Sequence, residues 1–385
     1  MTDSAIVGIA ELPQGKMPGV TPMGLHSTLA RMALADAGLH ARDVDAIITL
    51  SPRSDPYLIH ATALAEFMGI APPVALTVEG GGAAPAVMTD MARMMIAGGR
   101  AKTVLVVSAD MPLSVVSRNA YVNTLADAGP VHPDIERPYG PSVPSLFGIC
   151  ARAYMDQYGA TDEDLAAAAM HDRRHAMAHP NAHMRQPMTL ESYRATQMIA
   201  DPLRLLDCTP VSDGGAAVVV TSQERARDLR QPLVKVLGAG FCAARLHLSA
   251  AASLTDSGAG PSLRDALAQA GRAAADIDLA LVYDCFTIAL LMNIEALGLA
   301  PPGGAGAAFR AGEFNADGRL PLNIHGGLLS HGYPGRAAGI SNLVEAVVQL
   351  RGQAGDRQLK RVETTLTHGM GGVFATHGTL LLGKG

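Results

Sequence analysis

The sequence predicts a duplicated α/β fold: two βαβαβ halves, residues 1–235 and 236–385, with a further domain inserted into the first at about 112–206. An internal repeat is the first observation behind this reading. Ala33-Leu34-Ala35-Asp36-Ala37-Gly38 precedes Asp43-Val44-Asp45 and the apolar run Ala46 to Leu50, while Ala266-Leu267-Ala268-Gln269-Ala270-Gly271 precedes Asp276-Ile277-Asp278 and the run Leu279 to Val282. The pairs Gly38/Gly271, Asp43/Asp276 and Asp45/Asp278 share one offset, 233 residues. Strand–helix alternation in each half is the second, and it predicts mainly parallel sheets covered by helices. The third is a length difference of roughly 90 residues between the halves, between about Met111 and Leu206, within the size of a small subdomain.

Each copy of the repeat reads as a helix stopped by glycine, a capped turn and a buried strand. Each also follows a short apolar run with a glycine, Ile6 to Ala10 in one and Val234 to Gly238 in the other. In the first half, Ala83 to Ala97 reads as an apolar helix stopped at Gly98-Gly99, and Thr103 to Val107 as a strand. In the insertion, Pro144 to Tyr158 and Asp162 to Met177 read as helices, the latter with Thr161 as N-cap. Ala337 to Leu350 is the corresponding helix of the second half and Val362 to Leu366 its strand. Pro232 marks a short junction, so the halves are expected to pack as one rigid body.

The 385 residues, 48% hydrophobic and 17% charged, exclude disorder and favour two core units. Net charge is −5, from 30 basic and 35 acidic residues, which offers no electrostatic footprint for nucleic acid or an anionic membrane. Four cysteines far apart in the chain (Cys150, Cys208, Cys242, Cys285) suggest neither a disulfide framework nor a zinc knuckle, and a cytoplasmic setting fits them. Neither a secretory leader nor a membrane span is expected. His171, His175, His179 and His183 recur every four residues, but Pro180 and Pro187 interrupt a helix there, so no metal site is expected. Gly80-Gly81-Gly82 lacks the context of a dinucleotide loop.

Several segments resemble the thiolase superfamily almost end to end. Pro202 to Cys208 with Asp213-Gly214-Gly215-Ala216 is similar to the signature closing the family's loop domain. Asp284-Cys285-Phe286-Thr287 resembles the sterol-carrier type of thiolase, and Asn323-Ile324-His325-Gly326-Gly327-Leu328 leading into Gly332-Tyr333-Pro334 resembles the family's Gly-His-Pro region. The resemblance implies a five-layered αβαβα fold, a loop domain over a coenzyme A thioester, and a homodimer.

The departures are specific. Where classical thiolases carry a nucleophilic cysteine at a helix N-terminus, this sequence reads Val78-Glu79-Gly80-Gly81-Gly82-Ala83, which places Gly82 or a neighbour at that position. Tyr283 and Tyr333, 50 residues apart, stand in two boxes where the family keeps catalytic polar groups, and His368 stands near the position of its second cysteine. This pattern resembles the thiolase-like retro-aldolases of steroid side-chain degradation, which work with a small OB-fold partner of the DUF35 type. It implies cleavage or formation of a carbon–carbon bond in an acyl-CoA without an acyl-cysteine, most simply retro-aldol cleavage of a β-hydroxyacyl-CoA. Tyr283 and Tyr333 would be the acid/base pair, since a phenol can donate or accept that proton when its environment lowers a pKa of about 10. The N–H groups of Gly80, Gly81 and Gly82, with His368, would hold the enolate oxygen. Arg173, Arg174 and Arg185 are candidates for the coenzyme A phosphates. Coenzyme A enters as part of the substrate, and no separate cofactor is expected. Two alternatives remain at this point: an acetyl-CoA acetyltransferase-like enzyme in a multi-protein complex, and an inactive CoA-ester-binding scaffold subunit.

Overall fold

The computed structural model describes residues 4–127 and 130–385. The first half begins with β1 (Ser4–Glu11), α1 (Pro22–Ala37), β2 (Ala46–Thr49), α2 (His60–Met68), β3 (Val74–Thr77), α3 (Ala84–Ala97) and β4 (Thr103–Asp110). The insertion adds α4 (Arg118–Asp127), α5 (Val143–Tyr158), α6 (Asp162–Met177), α7 (Leu190–Arg194) and the small pair β5 (Met198–Ala200) and β6 (Leu203–Arg204). β7 (Gly214–Ser222) and α8 (Gln223–Ala226) close the half. The second half comprises β8 (Val234–Ala243), α9 (Gly260–Ala270), β9 (Leu279–Val282), α10 (Thr287–Ala296), α11 (Ala305–Arg310), α12 (Ile340–Leu350), β10 (Thr364–Gly371) and β11 (Thr376–Lys384). The expected division at 235/236 falls just inside β8, and the connection between the halves runs from Ala226 to Val234.

Every matched pair in the repeat does the same job twice. Gly38 and Gly271 end α1 and α9 in the left-handed conformation, with φ of 75° and 61°. Asp43 accepts the N–H of His40 and Asp276 that of Ala273, both at 2.8 Å. Asp45 accepts the N–H groups of Lys102 and Thr103 at the start of β4, and Asp278 those of Glu363 and Thr364 at the start of β10. A Cβ on Gly8 would lie 2.1 Å from the Ala33 carbonyl, and one on Gly238 would lie 2.3 Å from the Ala266 carbonyl, so both halves need glycine where a helix backbone crosses the first strand. Asp45→Ala and Asp278→Ala are therefore expected to destabilise similarly, by about 1–3 kcal/mol each, because each strands two backbone donors. Denaturant unfolding of the two variants checks this, and a large asymmetry would contradict the equivalence.

Strand order is β3-β2-β4-β7-β1-β8-β11-β10-β9, so β9-β10-β11-β8 repeats the order β2-β4-β7-β1. The sheet is mixed, which corrects the expectation of mainly parallel strands. Among the described strands, β2 with β3, β2 with β4 and β9 with β10 pair in parallel, and the remaining neighbours are antiparallel. A short turn joins β10 to β11, and parallel neighbours would need a long crossover there. The halves of the sheet join at the Ala5/Lys235 and Ile6/Val234 pairs. α3 packs against β4 and β7 on one side and β10 and β11 on the other, and α12 likewise reaches both halves. α1 and α2 cover the outer face of the first half, and α9 covers β8 and β11 of the second. This is an αβαβα arrangement with α3 and α12 as its middle layer. No described helix is long and apolar enough to cross a membrane.

The signature closing the insertion turns out to be a set of bolts. Asp207 accepts from Tyr193 Oη at 2.7 Å and Thr287 Oγ1 at 2.6 Å, tying the insertion to the start of α10. Asp213 accepts the N–H groups of Met17, Leu113 and Ser114.

Candidate active site

The N-terminus of α3, the end of β9 and the segment after Gly332 converge on one point. β9 delivers Tyr283, whose carbonyl accepts from Asn293 Nδ2 at 3.0 Å, while Asn323 brackets the preceding residue by accepting from Val282 N at 2.8 Å and donating to Val282 O at 3.0 Å. Tyr333 is held from the first half: its N–H donates to Ser212 Oγ at 3.2 Å and its carbonyl accepts from Ser212 N at 3.1 Å. Ser212 Oγ is itself bonded to His183 Nδ1 at 2.8 Å.

Gly82 sits directly under the Tyr283 ring. A Cβ at Gly82 would lie 2.1 Å from Tyr283 Cε2 and 2.4 Å from the Met370 carbonyl oxygen, and one at Gly339 would lie 3.3 Å from the same ring. The phenol therefore fills the space into which any side chain at position 82 would project. The rest of the turn is packed backbone to backbone: a Cβ on Gly369 would lie 2.1 Å from the Gly82 carbonyl, and one on Gly81 would lie 2.7 Å from Gly371 Cα. Two glycine-rich segments meet because neither leaves room for side chains.

The two tyrosines interact through their hydroxyl groups. Burial pushes both phenols up, Tyr333 to about 12, and Tyr333 adds to the rise at Tyr283. Burial and the nearby Cys285 raise Tyr333, while the Tyr283 hydroxyl and the Arg53 guanidinium offset part of the rise. Both phenols therefore hold their protons, whereas a lowered value was expected. Burial also holds the Cys285 thiol well above its usual range, so it is a neutral thiol beside the phenols.

Sequence reasoning missed a third phenol. Tyr121 of α4 is 1% exposed, and a Cβ on Gly335 would meet both its hydroxyl and Asp110 Oδ2. Its nearest charged and phenolic neighbours are Tyr333, Asp110, Arg53 and Arg336. Asp110 is fully committed to structure, accepting from Arg53 N, Ser54 N, Ser54 Oγ, Met111 N and Arg336 N. Tyr121 lies in the insertion, outside every motif and repeat, so no sequence signal marked it.

His368 is not brought to the tyrosines. Gly369 and Gly371 of β10 face the Gly80–Gly82 turn, so by alternation His368 projects from the opposite face. There its Nε2 lies 3.1 Å from His377 Nδ1, and His377 Nε2 lies 2.8 Å from the Ser257 carbonyl. The carbonyl can only accept, so His377 donates from Nε2 and accepts at Nδ1, and His368 donates from Nε2. The enolate-holding role expected of His368 needs a group on the other face, and Thr367 is the β10 side chain that alternation places there.

The arginines divide. Arg173 is buried and spends its guanidinium on Ser330 Oγ at 2.9 Å and the Gln186 carbonyl at 3.1 Å, which corrects its assignment to a phosphate. Arg174 is exposed and donates to Asn315 Oδ1. Arg185 is exposed. Among the described residues no cluster of His, Cys, Asp or Glu is arranged to hold a metal ion; His171 Nε2 instead bonds the Leu322 carbonyl.

Fold and site together define a duplicated five-layer α/β protein whose glycine-lined helix start is capped by a phenol pair. The comparisons place it: the chain belongs to the thiolase superfamily. A family model described as thiolase C-terminal domain-like matches residues 240–384. The chain is 35% identical over 361 residues to a 17-hydroxy-3-oxo-4-pregnene-20-carboxyl-CoA lyase of Mycobacterium tuberculosis, covering 91% of this chain and 92% of that protein. It is 31% identical over 380 residues to an acetyl-CoA acetyltransferase of Methanothermobacter thermautotrophicus, covering 98% of each. A solved structure described as an Ltp2-ChsH2(DUF35) aldolase superposes with a TM-score of 0.86 at 32% identity, covering 100% of this chain and 98% of that one.

Proposed function

We propose that this protein cleaves a carbon–carbon bond next to an acyl-CoA thioester by a retro-aldol reaction, without forming an acyl-enzyme. The observation that carries the reading is the Tyr283 ring lying on Gly82, with its hydroxyl group against Tyr333. Where an attacking side chain would project, the protein has put a proton-bearing one. In the substrate, a β-hydroxyacyl-CoA, Tyr333 accepts the β-hydroxyl proton as its own hydroxyl proton passes to Tyr283. The hydroxyl carbon becomes a carbonyl as the Cα–Cβ bond breaks, and the electron pair passes into the thioester enolate. Protonation at Cα, by Tyr283 directly or through one water, yields a shorter acyl-CoA and a free ketone or aldehyde. Backbone N–H groups at the start of α3 carry partial positive charge suited to the enolate oxygen.

Likeness to a pregnene-carboxyl-CoA lyase and to an aldolase supports a steroid or similarly bulky acyl group, and likeness to a DUF35-containing structure supports a small OB-fold partner. β3 is an edge strand, partly exposed and packed against α2, which carries the exposed Phe67, and this supports pairing with a second copy. A cytoplasmic location is part of the same reading. The likeness to an acetyl-CoA acetyltransferase over nearly the whole chain favours a second reading, acyl transfer. Incubation with β-hydroxyacyl-CoA esters and, separately, with acetoacetyl-CoA plus CoA decides between them. Release of a free ketone or aldehyde supports the lyase, and CoA-dependent thiolysis supports the transferase.

A further inference from the structure

A carboxyl pair that the chemistry above does not use lies directly behind the phenols. Asp172 of α6 and Asp284, the residue after Tyr283, are both fully buried. Asp284 accepts the N–H of Leu328 through Oδ1 at 2.8 Å and that of Leu329 through Oδ2 at 2.9 Å. Both donors belong to the wide turn Gly327–His331, which runs into Gly332 and Tyr333. Gly327 has φ of 56°, and a Cβ there would lie 2.3 Å from Asp284 Oδ2 and 2.8 Å from Asp172 Oδ2, so both carboxyls press on the same glycine. Neither Asp172 oxygen has a hydrogen-bond donor, although both are buried.

We propose that Asp172 and Asp284 form a proton-sharing positioning pair that sets the Tyr283–Tyr333 geometry, with Asp284 as the carboxylate and Asp172 as the acid that donates to it. The inference rests on the reading of the two phenols as the reacting pair. Two adjacent buried carboxylates cannot both be charged. Asp284 faces two backbone donors and keeps the charge, while Asp172 faces none and keeps the proton. Asp284 thereby connects the β9 end carrying Tyr283 to the turn carrying Tyr333, and Asp172 locks that connection to the inserted domain. Burial and the Asp284 charge both hold Asp172 well above the usual carboxylate range, and the other charged group facing it, Arg173, offsets this in part.

The pair makes an asymmetric prediction. An asparagine at 172 still presents an N–H to Asp284, whereas an asparagine at 284 turns an amide donor against a backbone donor. Asp172→Asn is expected to keep kcat within about threefold, and Asp284→Asn to lower it by about 10²-fold or more with little change in KM. Asp172→Leu, similar in bulk but without a donor, is expected to follow Asp284→Asn, and it decides the matter should Asp284→Asn not fold. Equal loss in Asp172→Asn and Asp172→Leu, or full activity in Asp284→Asn, overturns the proposal.

A stability measurement needs no turnover and separates this inference from the reaction assigned above. Asp172 is raised in the folded state, so its contribution is present below the unfolded carboxylate value and is lost as pH rises through the folded one. The amide of Asp172→Asn does not titrate. Its melting temperature is expected to exceed that of the wild type by a margin that grows as pH rises above the ordinary carboxylate range. A margin independent of pH refutes the shared proton even if the wild type is an active lyase. A growing margin in a wild type that shows no cleavage leaves the pair standing and removes the reaction.

Discussion

Tyr333→Phe is expected to lower kcat for β-hydroxyacyl-CoA cleavage by about 10²–10⁴-fold, the usual range for losing a positioned acid or base. The substitution removes one oxygen and keeps the ring, so the backbone bonds to Ser212 and the surrounding packing remain. It also leaves the Tyr283 hydroxyl facing a hydrocarbon edge. Tyr283→Phe is expected to produce a loss of the same order, and the double variant is expected to fall no further than about the worse single one, because groups acting as a unit are not additive. Steady-state release of the ketone or aldehyde, alongside a melting curve showing that the fold is kept, checks all three. Turnover unchanged in both single variants, measured in an otherwise active complex with a partner, would instead identify the chain as a CoA-ester-binding scaffold.

Gly82→Cys, which supplies a thiol at the helix start, is expected to fail as a route to a thiolase. Its Cβ would meet the Tyr283 ring at 2.1 Å and the Met370 carbonyl at 2.4 Å. The ring cannot retreat, because Gly339 backs it and Asn293 and Asn323 fix the backbone around it. Overpacking of this kind costs about 1–3 kcal/mol, so a lowered melting temperature and displaced phenols are the expected result. Lyase activity should collapse without thiolysis appearing. A stable Gly82→Cys variant that forms an acyl-enzyme would show that Tyr283 is easily moved.

Much of the architecture was legible because it was written twice. A duplicated Gly, Asp and Asp at one offset marked two copies of a helix, turn and strand, and each aspartate proves to accept the same class of backbone donor in both halves. The start of helix Asp162–Met177 was readable because Thr161 stands at its N-cap, where Asp164 accepts the Thr161 N–H at 2.8 Å. Strand direction was not legible, since period and alternation say nothing about whether a neighbour runs up or down. At the site, Tyr283 and Tyr333 could be found because each stands in a motif box, while Tyr121 reaches them from the insertion through folding alone. His368 and Arg173 were misassigned for one shared reason: sequence position shows which chain segment passes near a site, and the face of a strand or helix decides whether the side chain arrives.

Intact-mass spectrometry of the protein after incubation with an acyl-CoA donor tests the central claim most directly. An unmodified mass, under conditions in which β-hydroxyacyl-CoA is being cleaved, is the predicted result. An added acyl mass that disappears in Cys285→Ala would contradict it, because it would place a covalent nucleophile where the structure places a neutral, buried thiol.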